Sequence, residues 1–135
     1  MGQFLPADHS RGDANTIGGY MAVHARPAAF EGTDGVSYSV EIVADEETDR
    51  VAPFAAYLLF VKWRQGDPVA AGHLETDYLR YGQTEEEAIA KVGAMKLSEV
   101  RVILDGLIAR RAALEAERAS RDVAWWDAMR KEGDE

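Results

Sequence analysis

The spacing of apolar residues changes once along this sequence, at Thr84. Before Thr84, apolar residues alternate with polar ones or form short blocks, a pattern typical of β-strands. After Thr84 they recur three and four residues apart, which is typical of an α-helix. A run of strands followed by a run of helix predicts an α+β fold, in which helix covers one face of an antiparallel sheet.

Four segments carry the strand pattern. Residues 20–26 alternate, and residues 36–44 do so most clearly, with the apolar side chains on one face and mostly polar ones on the other. Residues 54–63 are almost entirely apolar, as expected of a central strand covered on both faces. Residues 69–77 return as the last strand. We therefore expect a four-stranded antiparallel β-meander packed against a long C-terminal helix.

The start of the helix is marked by a capping box, Thr-Glu-Glu-Glu at residues 84–87. The Thr84 hydroxyl can accept from the Glu87 N–H while the Glu87 carboxylate reaches back to Thr84. Ser98 and Glu99 can cap the chain a second time, so a kink is expected near 96–98. Six apolar residues follow at helical spacing: Val100, Ile103, Leu104, Leu107, Ile108 and Leu114. Of these, Ile103, Leu104 and Leu107 are predicted to pack on Tyr57, Leu59 and Val61, or on the alternate set Leu58 and Phe60.

At 135 residues the chain has the length of one domain. Residues 1–19 are rich in Gly, Asp and Ser and hold few large apolar groups, so they are predicted to be a disordered lead. Residues 20–135 are then a single α+β domain, whose C-terminal helical tail covers about 119–135.

Composition argues against several classes of function. The net charge of −9 argues against nucleic-acid binding, which requires clustered Lys and Arg. The absence of cysteine excludes a disulfide framework, a thiolate nucleophile and cysteine-based metal sites. No apolar stretch reaches the roughly 18 residues of a membrane span, and the first 25 residues show no secretory signal. A small soluble cytoplasmic protein without a membrane partner is expected.

Residues that could carry catalysis are few. Phosphate-binding loops and the G-x-S-x-G motif are absent. His73 and Glu75 lie two apart and share a strand face, where they could act as acid and base. His24 would join them if the first and fourth strands were neighbours. A hydrolytic or small-ligand-binding enzyme using these residues is therefore one alternative, and no metal site or cofactor is predicted.

Residues 82–88 read Gly-Gln-Thr-Glu-Glu-Glu-Ala. This segment resembles the G-x-T-x-E-E-A segment at the strand-to-helix junction of HicB-like antitoxins. The resemblance implies a small sheet placed against a helix and a toxin partner, which makes an antitoxin-type partner-binding protein a second alternative. The proline- and glycine-rich segment that precedes the junction in that family is replaced here by residues 72–79.

The C-terminal tail holds the most unusual pair of residues, Trp125 and Trp126. Their side chains should diverge by about 100° on a helix, so one surface can hardly bury both. A helix from Glu99 to Lys131 would run about 50 Å and overhang its own sheet. Either it breaks near 120 and folds back, or a protein partner, a second copy included, covers it. We expect a non-enzymatic interaction protein that forms a homodimer through this helix. Its predicted binding residues are Trp125, Trp126, Val123 and Met129.

Overall fold

The computed structural model describes residues 7–48, 50–63 and 70–133. After a single 3-10 turn at His9–Arg11, two helices flank the sheet region and one long helix ends the chain. In chain order the elements are α1 (Ile17–His24), β1 (Ala29–Glu31), β2 (Ser37–Glu46), β3 (Phe54–Trp63), β4 (Ala70–Glu75), β5 (Arg80–Gly82), α2 (Glu85–Gly93) and α3 (Leu97–Gly133). Residues 1–6 of the predicted lead, Val69 of the predicted fourth strand and residues 134–135 of the predicted tail lie outside the described residues.

The sheet is antiparallel in the order β1-β2-β3-β4, with β5 paired to β3. The predicted α+β class, with an antiparallel meander and a long C-terminal helix, is confirmed. β2 and β3 pair along ten positions, from Ser37 opposite Trp63 to Glu46 opposite Phe54. β3 is the central strand, as its apolar sequence predicted, because it has neighbours along both edges.

β4 and β5 share one edge of β3 and are separated by a short interruption. Within it, the Thr76 hydroxyl accepts a hydrogen bond from the Leu58 N–H at 3.1 Å. The Leu79 N–H then donates to the Ala56 carbonyl at 2.8 Å. A side chain thus takes the place of one backbone acceptor, and the edge of β3 stays paired up to β5. β5 is a strand that the sequence did not predict.

The strand predicted over residues 20–26 is wrong, because residues 20–24 belong to α1 and Ala25 caps its end. The Thr16 hydroxyl caps α1 by accepting from the Gly19 N–H at 3.0 Å. Ile17 is fully buried in the core, so residues 17–19, assigned above to the disordered lead, are part of a packed helix. The first strand of the meander is instead β1, which pairs with the start of β2.

The capping box at the start of α2 forms with one change from the prediction. The Glu87 N–H donates to the Thr84 hydroxyl at 3.1 Å, as expected. The Glu87 carboxylate reaches one residue further back and accepts from the Gln83 N–H at 3.0 Å. This hydrogen bond is the main reason why the pKa of Glu87 lies below its usual value, and the neighbouring Lys91 lowers it further. The kink expected near 96–98 is a break, since α2 ends at Gly93 and α3 begins at Leu97.

The core lies between one face of the sheet and the helices. Leu104 of α3 is fully buried in one cluster with Leu58 and Phe60 of β3. The alternate set of contacts predicted for α3 is therefore the correct one. Tyr57, Leu59 and Val61 point to the other face, where they are half-buried. We call this second face, which α1, α2 and α3 do not cover, the open face of the sheet.

A search for membrane-spanning segments among the described residues found none, because each helix there is too short or too polar.

Candidate interaction surface on the C-terminal helix

The C-terminal helix changes its surroundings about a third of the way along. From Leu97 to Ile108, α3 contributes buried and half-buried side chains to the core. From Ala109 to Arg130 every residue is exposed, and the helix continues without a break near 120. These 22 residues, which we call the tail of α3, correspond to about 33 Å of helix. The alternative in which the helix breaks and folds back on its own sheet is therefore wrong.

Large apolar side chains lie exposed along this tail. Five of them are between 46 and 61% exposed: Leu114, Val123, Trp125, Trp126 and Met129. Leu114, which follows the helical spacing of the apolar residues before it, is a surface residue and lies apart from the other four. Those four lie within residues 123–129, and exposed apolar surface of this kind marks interaction sites, with tryptophan enriched among the residues that dominate binding energy.

The rings of the two tryptophans touch each other. Their centroids lie 5.2 Å apart at an interplanar angle of 75°, an edge-to-face contact. That one surface can hardly bury both stays a prediction, because each side chain is more than half exposed. A partner that covers one ring would nevertheless contact the other as well.

A seam of small residues leads along the tail to these tryptophans. Successive members of the seam are four and three residues apart, so they share one face of the helix. They are Ala112, Ala116, Ala119, Val123 and Trp126. All five are exposed. Since alanine adds little bulk to a helix, a second helix can approach this face closely.

The charge of the tail differs from that of the whole chain. Between residues 109 and 130 there are five arginines and four acidic residues, whereas the whole protein carries −9. Arg111 and Glu115 form an exposed ion pair one turn apart at 3.4 Å. When two copies meet through their tails, the electrostatic repulsion is therefore much weaker than between two surfaces that carry the average negative charge of the protein.

Of the predicted catalytic residues, His73 and Glu75 share one face of the sheet, whereas His24 lies elsewhere. His73 lies opposite Val61 and Glu75 opposite Leu59, so both stand on the open face of the sheet, where both are exposed. His24 instead belongs to α1, on the helical side, and its ring lies 4.3 Å from that of Tyr20. The strand that was to bring His24 beside His73 is a helix. Within the described ranges, no three His, Asp or Glu side chains are grouped so as to hold a metal ion.

Replacing His73 by glutamine is expected to leave both stability and self-association unchanged. The side chain is exposed and donates no hydrogen bond seen in the described part of the chain, so the free energy of unfolding should change by less than about 0.5 kcal/mol. Urea denaturation and the mass in solution measure the two effects. A large loss of binding or activity in a folded His73→Gln protein would support the enzymatic alternative instead.

A cavity of about 340 Å³ lies where the tail leaves the body. Ile108 and Ala112 of α3 line one side, and Tyr38 and Leu74 of the sheet line the other. The Tyr38 hydroxyl donates to the Asp34 carboxylate at 2.7 Å. Burial is the main reason why the pKa of Tyr38 lies above its usual value, and this hydrogen bond raises it further. The lining is mixed, because the charged residues Asp34, Lys62, Arg111 and Glu115 join these residues.

The sequence contained a signal for this surface but not for the cavity. The apolar stripe predicted the tail, whereas the cavity combines residues from β2, β4 and α3 that only the fold brings together. Comparisons of the chain with protein-family models, curated proteins and solved structures gave no match. The resemblance to HicB-like antitoxins rests on residues 82–88 alone.

Proposed function

We propose that this chain is a small non-enzymatic interaction protein that self-associates through the tail of α3. The observation that carries the proposal is a 22-residue stretch of continuous helix whose side chains are all exposed and include two tryptophans in contact. Removing apolar surface from water yields about 25 cal/mol per Å², so covering this helix is strongly favoured over leaving it in water. The cytoplasm stays the predicted location.

A second copy is the occupant that the tail itself favours. A two-fold dimer requires a patch that is complementary to itself, and it is the commonest closed assembly. The tail meets this requirement in two ways. Its small and bulky residues lie on one seam, and its nearly balanced charges allow the arginines of one copy to approach the acidic residues of the other.

Removal of the tryptophans is expected to convert a dimer into a monomer. Truncating Trp125 and Trp126 to alanine should weaken association at least about 30-fold, because tryptophans at interface hot spots contribute about 2 kcal/mol or more. Sedimentation equilibrium on the whole chain and on the Trp125→Ala/Trp126→Ala variant measures the two dissociation constants. A chain shortened to end at Arg118 should be monomeric under the same conditions.

Val51→Ala is the matched control for this experiment. Val51 is 93% exposed and lies in the loop between β2 and β3, away from α3. Its truncation should leave the dissociation constant unchanged. A whole chain that stays monomeric up to submillimolar concentration would overturn the proposal.

A further inference from the structure

We propose that two copies of this chain pair through their tails in antiparallel orientation, with Ala116 of one copy opposite Ala119 of the other. This inference rests on the self-association proposed above and adds its geometry. In this register, positions whose numbers sum to 235 face each other across the two-fold axis. Ala112 then faces Val123, Ala109 faces Trp126, and Asp105 faces Arg130.

The seam is longer than its alanine-rich middle. The same spacing of four and three residues continues without interruption toward both ends of α3. The full set is Asp105, Ala109, Ala112, Ala116, Ala119, Val123, Trp126 and Arg130. This is the spacing of the positions that face a partner in a two-helix coiled coil, maintained over seven consecutive steps. A helix pair therefore has a contact line of about 38 Å available.

The sizes of the seam residues favour the antiparallel orientation. In a parallel pair, Trp126 would meet Trp126 at one end while alanine met alanine over the rest, so the helix axes would have to diverge. In the antiparallel pair each bulky residue meets a small one, Trp126 against Ala109 and Val123 against Ala112. The two helices then keep one separation along their length, as close packing requires.

The charges at the ends of the seam favour the same orientation. Asp105 is a half-buried acidic residue at one end of the seam, and Arg130 is an exposed basic residue at the other. The antiparallel register supplies Arg130 of the second copy, whose guanidinium can donate to a carboxylate. A parallel register would place Asp105 against Asp105 and Arg130 against Arg130.

In this arrangement, the cavity at the base of the tail of one copy lies close to Trp126 of the other. Ala112, one of its lining residues, lies one turn from Ala109 on the same side of the helix. Trp126 of the second copy, facing Ala109, therefore lies beside Ala112 at the edge of the cavity. The indole ring is apolar like Ile108 and Ala112, and its N–H can donate to the polar groups of the lining.

Single cysteines test the orientation, because the chain contains none of its own. A disulfide needs Cα atoms about 4.4–6.8 Å apart. In the antiparallel register, two copies of Ala112→Cys hold their thiols about 16 Å apart along the axis, and two copies of Val123→Cys do the same. A mixture of the two variants places the thiol at position 112 of one chain opposite the thiol at position 123 of the other. Mild oxidation should therefore cross-link the mixture and neither variant alone.

Leu114→Cys is the matched control. Leu114 is exposed, but it lies on the side of α3 opposite the seam, so it should cross-link with neither variant. All three substitutions are at exposed positions, and circular dichroism before oxidation verifies that the fold is intact. A charge exchange gives a second readout. Asp105→Arg and Arg130→Asp should each weaken association about tenfold or more, and the double variant should recover most of the loss.

The outcomes separate this inference from the proposed function. If each cysteine variant cross-linked with a second copy of itself, the pair would be parallel. A dimeric mass without any cross-link would show that the two copies meet through a different contact. Either result would overturn the antiparallel register while self-association stood. A monomeric mass for the unmodified chain would overturn both proposals.

Discussion

Replacing Leu104 by alanine is expected to lower the free energy of unfolding by about 2–5 kcal/mol, the usual cost of truncating a buried leucine. Leu104 is fully buried where α3 meets the sheet, in one cluster with Leu58, Phe60 and Val100. Rigid strands on one side and the helix on the other limit how far the core can close around the space left behind. The shift of the urea midpoint at constant slope measures the loss.

Val102→Ala is the control for this experiment, since it makes a similar truncation two residues earlier in the same helix. Val102 is 71% exposed, so little apolar surface is returned to water, and alanine has the higher helix propensity. Its unfolding free energy should stay within about 0.5 kcal/mol of the original. Equal midpoints for the Leu104 and Val102 variants would contradict the packing of α3 on the sheet.

Gly18→Ala is expected to destabilise the protein by about 1–3 kcal/mol, the range found when a methyl group is forced into a packed site. A Cβ atom at Gly18 would lie 2.9 Å from the Cα atom of Gly93, where α1 crosses α2. Both contacting groups belong to helix backbones, so neither can turn away as a side chain would. Thermal unfolding followed by circular dichroism measures the effect.

Gly106→Ala makes the same change where there is room for it. Gly106 lies inside α3, and a Cβ atom there would meet no atom within 4 Å. Since glycine in a helix interior costs roughly 0.5–1 kcal/mol relative to alanine, this variant should be more stable than the parent. If Gly18→Ala were stabilising too, the close crossing of α1 and α2 would be refuted.

The parts of the fold that could be predicted are those whose cause is local. The alternation in residues 36–44 identified β2, because a strand with one buried face needs a period of two. The unbroken apolar run identified β3 as central. The capping box located the start of α2 because its hydrogen bonds lie within one turn.

The parts that could not be predicted depend on contacts between distant segments. Gly18 and Gly19 are typical of a turn, yet Gly18 belongs to a helix that needs glycine for its approach to Gly93, 75 positions later in the chain. β5 is three residues long, too short to show any period, and it forms because β3 has unpaired groups beyond β4. Neither cause is visible in the residues of the element itself.

The candidate site was partly predictable for the same reason. The apolar stripe with Val123, Trp125, Trp126 and Met129 follows from helical spacing and is exposed as expected of a contact surface. Whether the tail folds back or projects depends on the helix staying continuous past Ser120, which the spacing alone left open. The contact between the two indole rings depends on side-chain rotamers, which a projection down the helix axis ignores.

The tail continues directly from the buried first part of α3. This continuity affects how fast and how tightly the tail binds. Starting a helix in free solution carries a statistical weight of about 10⁻³, whereas adding a residue to an existing turn is close to neutral. The buried first turns of α3 act as a permanent nucleus, so the tail only has to propagate from Ile108 onward. As a separate peptide, the same residues would be non-helical most of the time, so the seam that faces a partner would form only rarely.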